Sequence, residues 1–553
     1  LKTRTRAALI SAAILASTAL GVVATVPRIS DASGQEIQNP PQLYSSNGTL
    51  NVTLAAAVNP ATGLPALSYN GVIGPMGPAL HVNPGDTLNV NYSNHLPVTG
   101  ADGMCMSANV SNGVDYMDYT NLHYHGMKVS PNPPADQVIT TLLSPGQSYA
   151  YSVPIPVDDA PGLYWYHAHP HCESNRQVTG GVNGTLVVGG IEKYYPQVAS
   201  MPERVLVIQN QYPAGVVVNS AKLRFARNKQ LHALGVTRAA ANARVPAGLR
   251  RTAQSSSTNP DCTAPAAYNV TLNGQPVDAP ATPPQISIGP GQKQFWRVAN
   301  EGSNVAVDIA LVGPKGQLAP FQVIARDGQP LSYHDPTNEY LQVTDFVLMP
   351  AARVELIATG PSGPGWTLQT LCVDTGPVGD PAPQRVLATI NPHTFNGPPL
   401  VPANDNIPAL QKPPFNILTY PIAQYRTLVF SEDAVGDFYI NGQEFNPNAP
   451  PMFTPKVGTV EQWTIINTAT EIHAFHIHQI HFLVQSVGGV PDGPAQDYRD
   501  TIELPVSNGR ANSNVVVALM DFTDPIIVGT FVFHCHLLEH EDGGMMAKIQ
   551  VVQ

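Results

Sequence analysis

The amino-acid sequence predicts an all-β protein of several domains, on three observations. Pro (54) and Gly (45) are frequent while charged residues make up only 12% of the chain, a balance that favours short strands and turn-rich connections over long amphipathic helices. At 553 residues the chain exceeds one ordinary core, and roughly 100 to 200 residues per domain suggests three or four. A strand-like signature also recurs, a Gly followed nine positions later by Asn with apolar residues alternating between them. It stands at Gly85 to Asn94, Gly291 to Asn300 and Gly458 to Asn467, so three related units are expected.

Along the chain, residues 1–24 read as a secretory signal peptide: Lys2, Arg4 and Arg6 precede an uncharged run from Ala7 to Val26, with small residues near Ala24. The Ala, Thr and Ser content of that run favours removal over a membrane anchor, and Thr5 between the arginines gives no twin-arginine signal. Residues 25–39 follow as a linker. The expected mature protein is secreted, periplasmic or extracellular, with no membrane contact after signal removal. The net charge of -11 comes without a basic block beyond the N-terminus, so no nucleic-acid partner is expected.

The Gly189-Gly190 break and the Pro-rich run from Pro398 to Pro414 place the units at 40–190, 191–402 and 403–553. A polar, basic stretch at about 221–261 reads as an insertion in the middle unit. A second repeat separates the outer units from the middle one. Gly162 leads through aromatic residues to His167-Ala-His169, and Gly529 to His534-Cys-His536, whereas Gly365 leads to Thr370 and Cys372. Likewise Asn467 is followed by His476 and His478, but Asn300 by Ile309 and Leu311. The outer units are therefore expected to bind something that the middle unit does not.

The 17 histidines of this chain should yield fewer than roughly one His-x-His pair by chance, yet there are five. Four stand at repeat-related positions: His123/His125, His167/His169, His476/His478 and His534/His536. Residues i and i+2 of a strand share a face, so each pair presents two imidazoles together, as a metal cluster needs. If His534 and His536 face a cluster, Cys535 faces away from it. His540 and Met545 follow at intervals of five; with His473 they complete the two nitrogens, thiolate and weak axial thioether of electron-transfer copper.

Five cysteines in an oxidising compartment leave one thiol for a separate task, and Cys535 is the candidate. Cys105, Cys172, Cys262 and Cys372 allow two disulfides in three connectivities, among which the sequence does not choose. His171 extends the second pair, but the glycine offset shared with the third unit selects His167 and His169. His81, His95, His232, His334, His393 and His481 read as ordinary histidines. Met104, Met106 and Met117 read as core filling.

Leu-His-Tyr-His-Gly at 122–126, Trp-Tyr-His-Ala-His at 165–169, His-Ala-Phe-His-Ile-His at 473–478 and His-Cys-His-Leu-Leu-Glu-His-Glu-Asp-Gly-Gly-Met at 534–545 together resemble the four copper motifs of the multicopper oxidases. The likeness runs from about residue 40 to the C-terminus and is nearest to three-domain laccase-like and bacterial copper-oxidase members. It implies three consecutive cupredoxin-like Greek-key β-barrel domains and four copper ions. His473, Cys535, His540 and Met545 match the type 1 ligands. His123 and His476 match the type 2 pair. His125, His167, His169, His478, His534 and His536 match the type 3 set.

The implied activity is one-electron oxidation of a small donor, phenolic or aromatic, coupled through the His534-Cys535-His536 segment to reduction of dioxygen to water. A Met axial ligand implies a moderate potential. Asp136 and Glu541 stand where such proteins carry proton-relaying acids, with solvated loop carboxylates as the alternative. Oxidation of cuprous, ferrous or manganous ions is the alternative activity. The complete ligand set argues against a non-enzymatic copper-binding protein, and the paired type 3 pattern against a two-domain nitrite reductase. The sequence sets neither the donor nor the oligomeric state.

Overall fold

The computed structural model describes residues 34–98, 118–212, 260–334, 339–402, 416–433, 437–491 and 498–553. The expected signal peptide, Cys105, Met104, Met106, Met117, His232, the side chain of His334 and nearly all of the 221–261 stretch lie outside the described residues. No helix among the described residues is long and apolar enough to cross a membrane.

The described chain is almost entirely β, in six sheets that pair around three hydrophobic cores. The first core, with Leu88, Val90, Tyr92 and Tyr124, lies between two five-stranded sheets. One sheet centres on Thr49–Val58 and Thr87–Asn94, the other on Asn183–Val188 and Gly162–His167. An eight-stranded and a six-stranded sheet enclose the middle core around Trp296, Ile309 and Leu356. A seven-stranded and a four-stranded sheet enclose the third, around Trp463, Phe475 and Phe533. Glu36 and Ile37, in the stretch expected as a linker, join the middle unit: Glu36 bridges to Gln285, and Ile37 packs in its core.

The three Gly-to-Asn signatures occupy one structural position each. Thr87–Asn94, Lys293–Asn300 and Thr459–Asn467 lie between a parallel strand on one side and an antiparallel strand on the other. The leading glycine turns into the strand with φ of +89° at Gly85, +73° at Gly291 and +85° at Gly458, a region that side chains beyond glycine disfavour. The closing asparagine is buried and acts as a bracket. Asn94 Nδ2 donates to the carbonyls of Asp118 (2.6 Å) and Leu143 (2.8 Å), while its Oδ1 accepts from Leu96 N (2.9 Å). Asn300 repeats this with Val305, Leu348 and Gly302, and Asn467 with Glu471, Leu504 and Ala469. Alternation along Thr87–Asn94 buries Leu88, Val90 and Tyr92 and leaves Asn91 exposed, as a sheet with one core-facing side requires.

The histidine strands correspond in the same way. His123 stands opposite His167, His476 opposite His534, and Ile309 opposite Thr370. The middle unit thus has an apolar and a hydroxyl side chain where the outer units have imidazoles. Cys372 is joined to Cys262 across 110 residues. Cys172 is disulfide-bonded as well, and Cys535 is a free, buried thiol.

Candidate metal centre

The four His-x-His pairs lie at strand ends of the first and third units, and strand alternation brings the rings of each pair to one face. Ring centroids within a pair are 5.6 Å (His123/His125), 5.7 Å (His167/His169), 5.1 Å (His476/His478) and 5.3 Å (His534/His536) apart. The pairs then meet across the two units. His123 stacks on His478 at 3.7 Å and His125 on His476 at 3.8 Å. His534 Nε2 lies 3.2 Å from His169 Nε2 and 3.3 Å from His478 Nε2. All eight rings are buried. His123 and His476, expected as a pair, are 6.0 Å apart between ring centroids.

Hydrogen bonds on the far side of His123, His125, His167 and His476 select which nitrogen faces the neighbouring rings. His167 Nδ1 donates to the Ala168 carbonyl (2.9 Å), His476 Nδ1 to the Asp500 carbonyl (2.8 Å) and His123 Nδ1 to the Asp136 carboxylate (2.9 Å). Their Nε2 atoms have no partner in the protein. His125 is reversed, with Nε2 on Asp500 Oδ1 (3.1 Å) and Nδ1 unpartnered. Leaving so many buried acceptors unsatisfied is unfavourable unless a cation takes the lone pairs.

Burial first, and neighbouring imidazoles next, hold His167, His478 and His536 well below the ordinary histidine range. Burial likewise brings His169 down to about 4. Neutral rings with converging lone pairs fit a cluster of metal ions. His123/His125/His167, His123/His476/His478 and His169/His478/His534 each hold their ligand atoms within 4.8 Å of one another.

A second donor set lies on the other face of the strand Gly529–Cys535. Cys535 stands opposite Phe475 in the third core, and its Sγ is 3.6 Å from both His473 Nδ1 and His540 Nδ1, which are 3.0 Å apart. Met545 is buried in the same core; its carbonyl accepts from Cys535 N (3.0 Å) and its N–H donates to the His540 carbonyl (2.9 Å). Burial pushes the Cys535 thiol up to about 12, so a metal binding there would displace its proton. Two imidazoles, a thiolate and a nearby thioether are the donors that suit blue copper.

Asp136 and Glu541 are buried against the cluster and are not solvated loop carboxylates. Asp136 also accepts from Tyr124 N (3.0 Å) and from Gln479 Nε2. Burial lifts its carboxyl to about 7, with the Tyr124 and Gln479 hydrogen bonds opposing the rise. Glu541 lies 2.9 Å from His534 Nδ1 and 3.6 Å from His169 Nδ1, and accepts from Ser174 Oγ (2.8 Å). Burial raises Glu541, but His169 and His534 outweigh it and hold the carboxyl below the usual range.

Sequence reasoning missed Asp500, Gln479 and Arg353. They carry no motif, and Arg353 comes from the middle unit. His171 belongs to none of the nitrogen groups; its Nε2 donates to the Ile139 carbonyl (3.0 Å) beside Phe445. His81 stacks on Tyr44, and His481 donates to the Asp327 carbonyl (2.9 Å).

Two family profiles match the chain, each described as "Multicopper oxidase", over residues 97–192 and 417–553. "Multicopper oxidase mco" of Staphylococcus aureus is 25% identical over 492 residues, covering 88% of this chain and 84% of that protein. Among solved structures, a variant of the McoA multicopper oxidase of Aquifex aeolicus superposes with a TM-score of 0.66 at 18% identity, covering 94% of this chain and all (100%) of that one. A Campylobacter jejuni multicopper oxidase, described as a metallo-oxidase, gives 0.63 at 22% identity, with 94% and 96% covered.

Proposed function

The chain belongs to the multicopper oxidase family, whose members are copper oxidoreductases that use dioxygen, and on that premise we propose a laccase-like oxidase of phenolic and related aromatic donors. The carrying observation is that Cys535, in one donor set, is peptide-bonded to His534 and His536 in the other. When bound, copper supplies one-electron redox chemistry between the donor and dioxygen, which is reduced to water.

We assign one copper to His473, Cys535, His540 and Met545. His123 and His476 hold a second. Two three-histidine sets hold the remaining pair, His169/His478/His534 and His125/His167/His536, the latter with ring centroids 5.0 to 5.8 Å apart. The residues of the His534-Cys535-His536 segment give a covalent path between the two sets. Asp136 and Glu541, each against a cluster imidazole and a second hydrogen-bond donor, are placed to hold and pass the protons that water formation consumes.

His540 lines a narrow cleft between the middle and third units, and we take this cleft as the side from which the donor approaches. Ala306, Ile472 and Leu537 line its apolar side, which supports an aromatic donor approaching at its mouth, and Glu471 Oε1 lies 3.4 Å from His540 Nε2. A second reading, oxidation of ferrous or manganous ions, is favoured by Asp380, Glu471 and Glu539 in the same cleft, since hard cations take oxygen ligands. Disulfide-bonded Cys172, Cys262 and Cys372 support a secreted or periplasmic location.

Oxygen uptake by copper-loaded protein, with a phenol, cuprous, ferrous and manganous salts in parallel, tests both readings. Turnover with the phenol is expected. Turnover with metal ions alone selects the second reading, and a blue protein that consumes oxygen with none of them refutes both.

A further inference from the structure

Asp500 lies buried where all three units meet. Arg353 grips its carboxylate with a two-pronged contact, Nη1 to Oδ1 at 2.8 Å and Nη2 to Oδ2 at 2.6 Å. Oδ1 also accepts from Thr501 Oγ1 (2.9 Å) and from His125 Nε2 (3.1 Å), and the Asp500 carbonyl accepts from His476 Nδ1 (2.8 Å). Arg353 belongs to the middle strand Arg353–Thr359, and its Nε donates to the Leu163 carbonyl of the first unit at 3.2 Å. One guanidinium therefore touches the first and third units while anchored in the second.

Gly126, directly after His125, shows how closely this pair is fitted to the cluster. A Cβ at Gly126 would lie 2.4 Å from Arg353 Nη2 and 2.5 Å from Asp500 Oδ2. The pair thus occupies the space a side chain would take beside His125. A guanidinium fork fixes the plane of a carboxylate as a point-charge ammonium does not. With Oδ1 so fixed, His125 commits Nε2 to it and turns Nδ1 toward the other rings, the reverse of His123, His167 and His476.

We propose that Arg353 and Asp500 are positioning residues of the cluster: through them the middle unit, which supplies none of the candidate ligands, selects the nitrogen that His125 presents and sets the ring of His476. The proposal rests on the copper reading above. It differs from a plain inter-unit clamp, because a clamp holds the units together without choosing a nitrogen.

The test uses the full copper-loaded chain, wild type beside Asp500→Asn and Arg353→Lys, and reads copper per chain, the electron paramagnetic resonance of the non-blue copper, and the blue absorption. Asp500→Asn keeps the size and is expected to release cluster copper to a chelator about 10- to 100-fold more readily, with altered hyperfine splitting of the non-blue signal and unchanged blue colour. Arg353→Lys should shift the same quantities in the same direction by less. Wild-type splitting and retention in Asp500→Asn would overturn the proposal. Loss of the blue colour together with the cluster signal, or failure of both variants to fold, would also overturn it, by assigning the pair to the fold. A wild-type chain with no non-blue copper would instead refute the copper reading, before any variant is compared.

Discussion

Replacing Asn467 with Ala tests whether the repeated signature is a structural bracket that reaches the metal centre. Asn467 is fully buried, and its amide makes three hydrogen bonds, to Glu471 O at 2.8 Å, Leu504 O at 3.1 Å and from Ala469 N at 2.9 Å. Each such bond contributes about 1 kcal/mol net, and a buried partner left unpaired adds to the loss, so about 3–5 kcal/mol is expected. For a unit of this size that lowers the melting midpoint by roughly 6–20 °C. Glu471 lies two residues before His473, and Leu504 pairs directly with it, so the blue absorption should weaken as well. Asn300→Ala removes the same three contacts in the middle unit and should destabilise equally with the colour unchanged. Calorimetry of the copper-free proteins and absorption of the loaded ones measure both effects. A loss below about 1 kcal/mol in either variant, or equal loss of colour in both, would refute the reasoning.

Cys535→Ser should abolish the blue absorption and donor oxidation while cluster copper stays bound, as read by absorption and metal analysis; persistent blue colour would refute the assignment. Glu301 is buried, its Oε1 has no partner, and burial raises its carboxyl from the ordinary value to about 8. In the unfolded chain the same group titrates near 4.3. The folded state therefore binds the extra proton between these values, and its stability falls as pH rises through that window. Glu301→Gln should match the wild type below about pH 4 and exceed it by a few kcal/mol above about pH 8, measured by denaturant unfolding; a gap independent of pH would refute this. Removing the Cys262–Cys372 disulfide, which closes 110 residues, should lower the stability of the middle unit by about 4–5 kcal/mol on the chain-entropy account, with blue colour retained at ambient temperature. Chemical unfolding of the Cys262→Ser/Cys372→Ser variant measures it.

Period-two patterning is local, so it was legible before any contact was known. The Gly-to-Asn signatures, the histidine pairs and the opposite facing of Cys535 follow from strand alternation and from glycine and asparagine at positions where backbone geometry demands them. The meeting of His123 with His478, and of His169 with His534, depends on how separate units pack, and the repeats alone do not show it. Asp136 was visible only as a carboxylate near a motif; its contact with His123 is what makes it part of the site.

By itself the sequence determined the β class, the threefold repetition, the ligand-poor middle unit and the residues able to hold metal, because each is written in neighbours along the chain. Only the tertiary structure decided which imidazole nitrogen faces the cluster, and that Arg353, 147 residues from Asp500, reaches in from the middle unit. Hydrogen bonds between segments distant in sequence impose those choices, and they leave no periodic trace in the chain.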